Sequence, residues 1–337
     1  MTFRRQRSLI PSLTMTETES LLRLLESHYG LTAVKVIPMK TVSGIVCDDD
    51  SRWIWKEARA RDTEQRFHAM NKIQALLGES GISCAAPVSN GTGLYLSTIE
   101  NGEKKGYLQP WLAGHHVQLE NRQERLAAFA TVGVMHQLGQ YVSSDIRSVL
   151  ATASLESRLV RKYRAMTEAW NVAIHKLPEL RAMEIHVFRS MSRVLEGLSR
   201  QPLTGKSTFC HRDLAPHNLL FSGDGQPHIS LIDLDQAGYD LPFLDLLQLC
   251  NHSLHFSDLR PGDFRESLAV YNRNAPMGPE QRVWMSELLW FPDLLIRTTV
   301  EWVAYGCPEQ GRDRVWTAAT KERLRLRLLA EENVVSG

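Results

Sequence analysis

The chain of 337 residues carries 39 Lys and Arg against 38 Asp and Glu, a formal charge of +1, so no global field draws it onto nucleic acid or an anionic membrane surface. With 43% hydrophobic and 23% charged residues and no long Gly/Ser tract, the composition excludes a disordered chain, and the length exceeds the about 100–200 residues usual for one compact core, so two lobes are expected. The five cysteines, Cys47, Cys84, Cys210, Cys250 and Cys307, form no CxxC pair, which excludes a disulfide framework or zinc knuckle and reads as buried thiols.

The Arg-bearing start, MTFRRQRSLIPSL, lacks the apolar core of a secretory signal, and no run reaches the about 18 apolar residues of a membrane span, so a cytoplasmic location is expected. A first helix is predicted over TETESLLRLLESHYG, with Thr16 and Glu19 at capping-box spacing and Gly30 closing it. Strands follow at Ala33–Ile37, Thr41–Cys47 and Ser51–Glu57, the last two joined by a turn at Asp48, Asp49 and Asp50. A helix from Asp62 to about Leu77 sets Phe67, Met70, Ile73, Leu76 and Leu77 on one side. LYLSTI and KKGYLQ around Asn101-Gly102 read as a hairpin, because that dipeptide accepts positive φ at both turn positions. Beyond Trp111 helical periods dominate, near 121–140, 154–172, 178–200, 242–257, 264–274, 280–305 and 311–332, around one β-like island at about 207–233. The fold class expected is α+β and bilobal: an arm at 1–15, a strand-rich lobe at 16–110 and a mainly helical lobe at 111–337, with a ligand cleft between the lobes.

The island contains FCHRDLAPHNLLF, Phe209 to Phe221. Phosphoryl transfer needs a carboxylate to orient the attacking hydroxyl, oxygen ligands for Mg²⁺ and a cation for the phosphates. Asp213 suits the first task; Asn218, a neutral oxygen ligand, and Asp233, at the end of the apolar run HISLID, suit the second. Asp235, two residues on, would lie on the same side as Asp233 if the strand continues, either as an additional metal carboxylate or as a carboxylate that supports the metal's ligands from outside. The order H-R-D-L-x-x-x-N followed by a strand-borne I-D matches the catalytic set of phosphotransferases.

On FCHRDLAPHNLLF, LIDLDQAGYDLPFLDLLQL and YLQPWLAGHHV followed by GVMHQLG, the chain resembles the protein-kinase-like phosphotransferases of the aminoglycoside phosphotransferase and choline kinase superfamily. Within that group it resembles the bacterial spore-coat kinase-like proteins of the CotS type. The resemblance covers residues 16–330 and implies ATP and Mg²⁺ as cofactors, Asp213 as catalytic residue, Asn218 and Asp233 as metal ligands, and Asp245 and His211 as structural support for the loop. Lys56 is the expected phosphate cation, since alternation in RWIWKE sets Ile54 and Lys56 on one face and Trp53 and Trp55 on the other. Gln109, Trp111 and Leu112 would edge the adenine pocket.

The phosphate-covering loop is expected in KTVSGIVC, whose lone glycine is Gly44. Glu64 stands too near the start of its helix to be assigned to Lys56, so either the lysine is positioned otherwise or the site is degenerate. Arg212 stands where related small-molecule kinases often carry a smaller residue, with Asp240 as its expected partner. The short QAGYDLP segment after Asp235 favours a small acceptor such as an amino alcohol or sugar over a peptide, with a spore-coat component as the other acceptor implied by the resemblance. The competing function is a kinase-fold binding or scaffold protein in coat assembly. His115, His116 and His136 lack acidic or Cys partners at ligand spacing and read as connector and helix residues.

Overall fold

The computed structural model describes residues 15–39, 41–99, 104–150, 154–201, 203–223, 227–256 and 261–331. The N-terminal arm up to residue 14 and the Asn101-Gly102 turn lie outside the described residues. In the smaller lobe, α1 (Met15–Leu24) runs into a wider π turn at Leu25–Tyr29 that Gly30 ends at φ 65°. The helix starts at Met15, so Thr16 falls inside its first turn rather than before it. Next come β1 (Ala33–Pro38), β2 (Ser43–Cys47) and β3 (Arg52–Glu57), then α2 (Glu64–Gly78), the short β4 (Ser83–Cys84), β5 (Ser97–Thr98) and β6 (Lys105–Pro110). Five of the strands make one antiparallel sheet in the order β1-β2-β3-β6-β5.

One face of this sheet closes on α1: Ile45, Cys47, Trp55 and Leu108 pack with Leu21, Leu24 and Leu25. The opposite face, carrying Ile54 and Lys56, is left toward the other lobe. Helix α2 begins where Thr63 Oγ1 accepts from Arg66 N at 3.2 Å. Its apolar side, Ala69, Met70, Ile73 and Leu77, joins the larger core, with Leu76 partly buried against it. The helix expected in the small lobe is therefore packed mainly with the large one, while Phe67 keeps it on the sheet through a ring contact with Tyr107 at 4.6 Å.

The larger lobe opens with β7 (His115–His116), followed by α3 (Arg122–Gly139), α4 (Ser144–Val149), α5 (Leu155–Lys176) and, after a 3₁₀ turn at Pro178–Met183, α6 (Glu184–Arg200). Strands β8 (Thr208–Cys210), β9 (Leu219–Ser222), β10 (His228–Leu231) and β11 (Gly238–Asp240) precede α7 (Phe243–Phe256), α8 (Pro261–Asn274), α9 (Pro279–Leu288), α10 (Asp293–Ala304) and α11 (Glu309–Glu331). The single helix expected at 280–305 is two, broken before Asp293 because Pro292 lacks an N–H and its ring disfavours helical backbone at Phe291. The β-like island is larger than its apolar runs suggest: β4 and β7 flank the β9–β10 hairpin in a sheet of order β4-β10-β9-β7, and β11 pairs with β8. Cys47, Cys84, Cys210 and Cys250 are buried and Cys307 half-buried. Among the described residues no helix is long and apolar enough to cross a membrane.

Candidate active site

The segment from His211 to Asn218 leaves β8 as a loop and ends in a 3₁₀ turn at Pro216–Asn218. It is held from behind by α7. The fully buried Asp245 accepts from the backbone N–H of His211 at 2.6 Å and of Arg212 at 2.6 Å, and lies 3.2 Å from His136 Nε2. One turn along the same helix face, Gln248 Oε1 accepts from Leu214 N at 2.9 Å. Burial would raise the Asp245 carboxyl, but the hydrogen bond and charge of His136, with His211 and the Arg212 N–H, outweigh it and hold it below the usual carboxylate range. Donor atoms of His136, Cys210 and Asp245 gather within 4.8 Å. Because the Asp245 oxygens already serve two backbone N–H groups and an imidazole, this cluster is a hydrogen-bonded prop rather than a metal site.

Arg212 has φ 67°, a left-handed backbone that costs a non-glycine residue roughly 1–2 kcal/mol. Its N–H is fixed by Asp245 Oδ1, its carbonyl accepts from Arg158 Nη2 at 3.1 Å, and its guanidinium lies 3.7 Å from Asp240, the partner expected from the sequence. The turn aims Asp213 outward, its side chain about one-third exposed. Asn218 Nδ2 donates to Asp213 O at 2.7 Å, and Asn218 O accepts from Ile232 N at 3.0 Å, so the loop is locked to the end of β10. His211 is fully buried, with Nε2 2.8 Å from Ile232 O, which ties the same two segments together.

Strand β10 stops at Leu231, and Asp233 adopts φ 58° before a 3₁₀ turn at Leu234–Gln236. The two carboxylates therefore do not share a side through strand alternation; the left-handed residue and the turn bring them together. Lys56 Nζ donates to Asp233 Oδ1 at 2.8 Å and to Asp235 Oδ1 at 2.7 Å. Asp233 stays nearly half exposed, whereas Asp235 is almost covered and also meets Arg59 Nη1 at 3.0 Å and Tyr107 OH at 3.2 Å. Burial would push the Asp235 carboxyl up, but Lys56 and Arg59 outweigh it and hold it below its ordinary value. The question of what positions Lys56 is thus answered across the cleft. Glu64 is occupied elsewhere, accepting from Tyr95 N at 2.9 Å and Leu96 N at 2.8 Å.

The upper wall differs from expectation. Gly44 lies within β2, paired with Ile37 and Ile54, rather than in a loop ahead of that strand. A Cβ at Gly44 would overlap the ring of Trp111, so the glycine serves close packing of this indole on the cleft face of the sheet. Trp111 and Leu112 follow β6 half-buried, and Gln109 is buried at the strand end. Gly44→Ala is expected to destabilise the protein by about 1–3 kcal/mol through overpacking. The loss should shrink in the Gly44→Ala, Trp111→Ala double variant. Urea denaturation of the four proteins checks this, and strictly additive costs would count against the contact.

Several residues at the site carry no sequence signal of their own. Arg66, on the first turns of α2, donates to Asp235 O at 3.2 Å and Ala237 O at 2.8 Å, fastening the segment after β10 to the small lobe. Arg66, Phe67, Tyr107, Gln109, Leu234 and Asp235 border a small open cleft, about 20 Å³ in volume. Arg297, on α10, brings Nη1 to 3.8 Å from Asp213 Oδ1. Gln248 could have been found, since it is three residues after Asp245 on one helix; Arg297 could not, because nothing periodic links α10 to the loop.

The described geometry joins Lys56, Asp233 and Asp235 directly, and Asp213 and Asn218 to them through backbone bonds at Ile232. Gln109 borders the same cleft from the side of β6. This arrangement can place oxygen ligands, a cation and a poised carboxylate around one phosphoryl group. An aminoglycoside phosphotransferase of Alicyclobacillus acidocaldarius subsp. acidocaldarius has the same fold, with TM-score 0.72 and 15% identity over 89% of this chain and 91% of that one. A spectinomycin phosphotransferase in complex with ADP and spectinomycin gives TM-score 0.65 and 12% identity over 93% and 97%. An amicoumacin kinase in complex with AMP-PNP and Ca²⁺ gives 0.60 and 15% over 89% of each. No curated protein matches the sequence. The model of the phosphotransferase enzyme family matches residues 45–280, a stretch that runs from β2 to the start of α9 and includes Lys56, the loop with Asp213, and Asp245; the chain belongs to that family, and it is a phosphotransferase.

Proposed function

We propose that the protein moves the γ-phosphoryl group of ATP, with Mg²⁺, to a hydroxyl of a small molecule. The observation that carries this reading is the convergence of Lys56 and Asp233 with a loop that holds Asp213 outward on a buried carboxylate. In the reaction the acceptor oxygen bonds to the γ-phosphorus, the bond from that phosphorus to the bridging β–γ oxygen breaks, and ADP leaves. Asp213 orients the hydroxyl and takes its proton. Lys56, held by two carboxylates, is poised to place its charge on the phosphates.

Asn218 and Asp233 are all-oxygen donors, which fits a hard divalent cation, and the Asp233 side chain remains half exposed while paired to Lys56. Bound there, Mg²⁺ supplies charge neutralisation for the phosphates. Asp235, covered by three donors, acts as the anchor that keeps Lys56 over the cleft. The ADP and AMP-PNP complexes of two fold relatives support the nucleotide. Trp111, packed on Gly44 beside Ile54, is the aromatic surface available to an adenine. The resemblance to spore-coat kinase-like proteins adds coat components to the acceptors to be screened, and the coat to the cytoplasm as a place of action.

In the wild type, ATP with Mg²⁺ should raise the melting temperature, and ATP with EDTA should do so far less. A ligand at about a hundred times its Kd contributes about 2.7 kcal/mol. In Asp233→Asn the Mg²⁺-dependent part should vanish while the unliganded protein melts normally, because Asp235 still holds Lys56. Stabilisation by ATP that ignores both Mg²⁺ and the variant would sink this assignment of the metal.

A further inference from the structure

We propose that the acceptor carries an anionic group, a carboxylate or a phosphate ester, close to the hydroxyl that is phosphorylated, and that Arg297 and Arg158 receive it. The proposal rests on the phosphotransferase reading and names the substrate class of the same site. A hydroxyl bonded to Asp213 lies about 3 Å from its carboxylate. Arg297 Nη1 is 3.8 Å from Asp213 Oδ1, and the arginine side chain is 38% exposed. Substituents on the carbons next to that hydroxyl therefore come within reach of the guanidinium.

The orientation of Arg297 suits this task. Its Nε donates to Glu301 Oε1 at 3.1 Å, one turn further along α10, which pins one edge and turns the Nη groups toward Asp213. A guanidinium edge matches a carboxylate or phosphate with two parallel hydrogen bonds. Glu301 does not belong to Arg297 alone, since Arg314 Nη2 lies 4.0 Å from it.

From the facing helix, Arg158 Nη2 donates to the carbonyl of Arg212, the residue before Asp213, at 3.1 Å. That partner is neutral, and among the described residues no carboxylate lies within ion-pair distance of Arg158. One turn along each helix, Lys162 pairs with the buried Asp293, clamping α5 to α10 and cancelling both charges there. The acceptor side of Asp213 is thus bordered by two arginines, Arg297 placed between Asp213 and Glu301 and Arg158 on a neutral carbonyl. A cationic amino group would meet like charge. Arg158 lies within the 45–280 stretch that the family model matches, and Arg297, on α10, lies beyond it.

The test uses two sets of acceptors matched in carbon skeleton: glucuronate, a glucose phosphate, glucose and glucosamine; and glycerate, a glycerophosphate, glycerol and aminopropanediol. Binding by saturation-transfer NMR and ATP-dependent turnover are measured on the full chain. Anionic members should bind and turn over at least about tenfold better than their neutral and cationic counterparts, and the carboxylate and phosphate arms decide which anion is preferred. Arg297→Gln should raise KM for anionic acceptors about ten- to hundredfold more than for neutral ones, the worth of a hydrogen bond between charged groups. Arg297→Lys should recover part of the loss, and Arg158→Gln gives an independent reading should the α10 variant fold poorly. Preference for cationic members, indifference to charge, no binding by the anionic members, or an equal kcat loss for every acceptor overturns the proposed class. If no acceptor yields turnover that depends on Asp213, the phosphotransfer reading of the site fails instead, and charge preference in binding still decides the proposal.

Discussion

Replacing Asp213 with Asn is expected to lower ATP-dependent turnover by about 10²–10⁴-fold, the span of general-base contributions, with little change in melting temperature. The separation of the two readouts follows from how the residue is used. Its structural duties run through the main chain: the carbonyl accepts from Asn218 Nδ2 at 2.7 Å and from Ala215 N at 2.9 Å. The side chain is one-third exposed, and its one ion-pair neighbour among the described residues, Arg297, stands at 3.8 Å, a weak contact for a solvated pair. Asn keeps the shape of the side chain and removes the basic oxygen. ADP release and product formation should fall together. Equal turnover in wild type and Asp213→Asn would leave the loop without its assigned base and favour a kinase-fold binding or scaffold protein.

What the sequence made legible is what depends on local spacing. Asp213 and Asn218 flank a proline in a loop between apolar runs, and the structure keeps them on one loop because five residues with a 3₁₀ turn bring the amide back to the Asp213 carbonyl. The bilobal plan followed from the change of period near Trp111. Asp233 was found as the polar end of an apolar strand, but its left-handed backbone is invisible in the letters, and with it the reason why Asp235 converges on Lys56. Gly44 was legible as a glycine, not as the seat of an indole 67 residues away in the chain. Non-local partnerships of this kind, including β4 with β10 and Arg297 with Asp213, depend on packing between elements whose own patterns say only helix or strand. The break at Pro292 follows from proline chemistry, and the apolar periodicity that runs through it masks it.

Asp245→Asn should cost about 3–5 kcal/mol of stability, the cost of breaking a buried charge arrangement by removing one partner. The carboxylate is fully buried and each oxygen faces a backbone N–H, Oδ1 that of Arg212 and Oδ2 that of His211, with His136 also on Oδ2. An amide offers one oxygen and one NH₂, so whichever way it is turned a donor faces a donor. The orphaned N–H is worth about 1–3 kcal/mol, and the left-handed Arg212 loses one of the contacts that compensate its backbone. Asp213 follows directly, so turnover should fall as well. The dependence on pH gives a second, sharper readout. The folded-state pKa of Asp245 is depressed below its unfolded value, near 3.9 for a free Asp, so its contribution is fully present above that value and lost as pH falls through the lower folded one. Urea denaturation from neutral pH into acid should therefore show the wild type losing stability below about pH 4 more steeply than Asp245→Asn, and the two curves drawing together. Parallel curves would mean that the carboxylate does not carry its charge in the folded core, and that the loop is held upright by the Gln248 and Ile232 contacts instead.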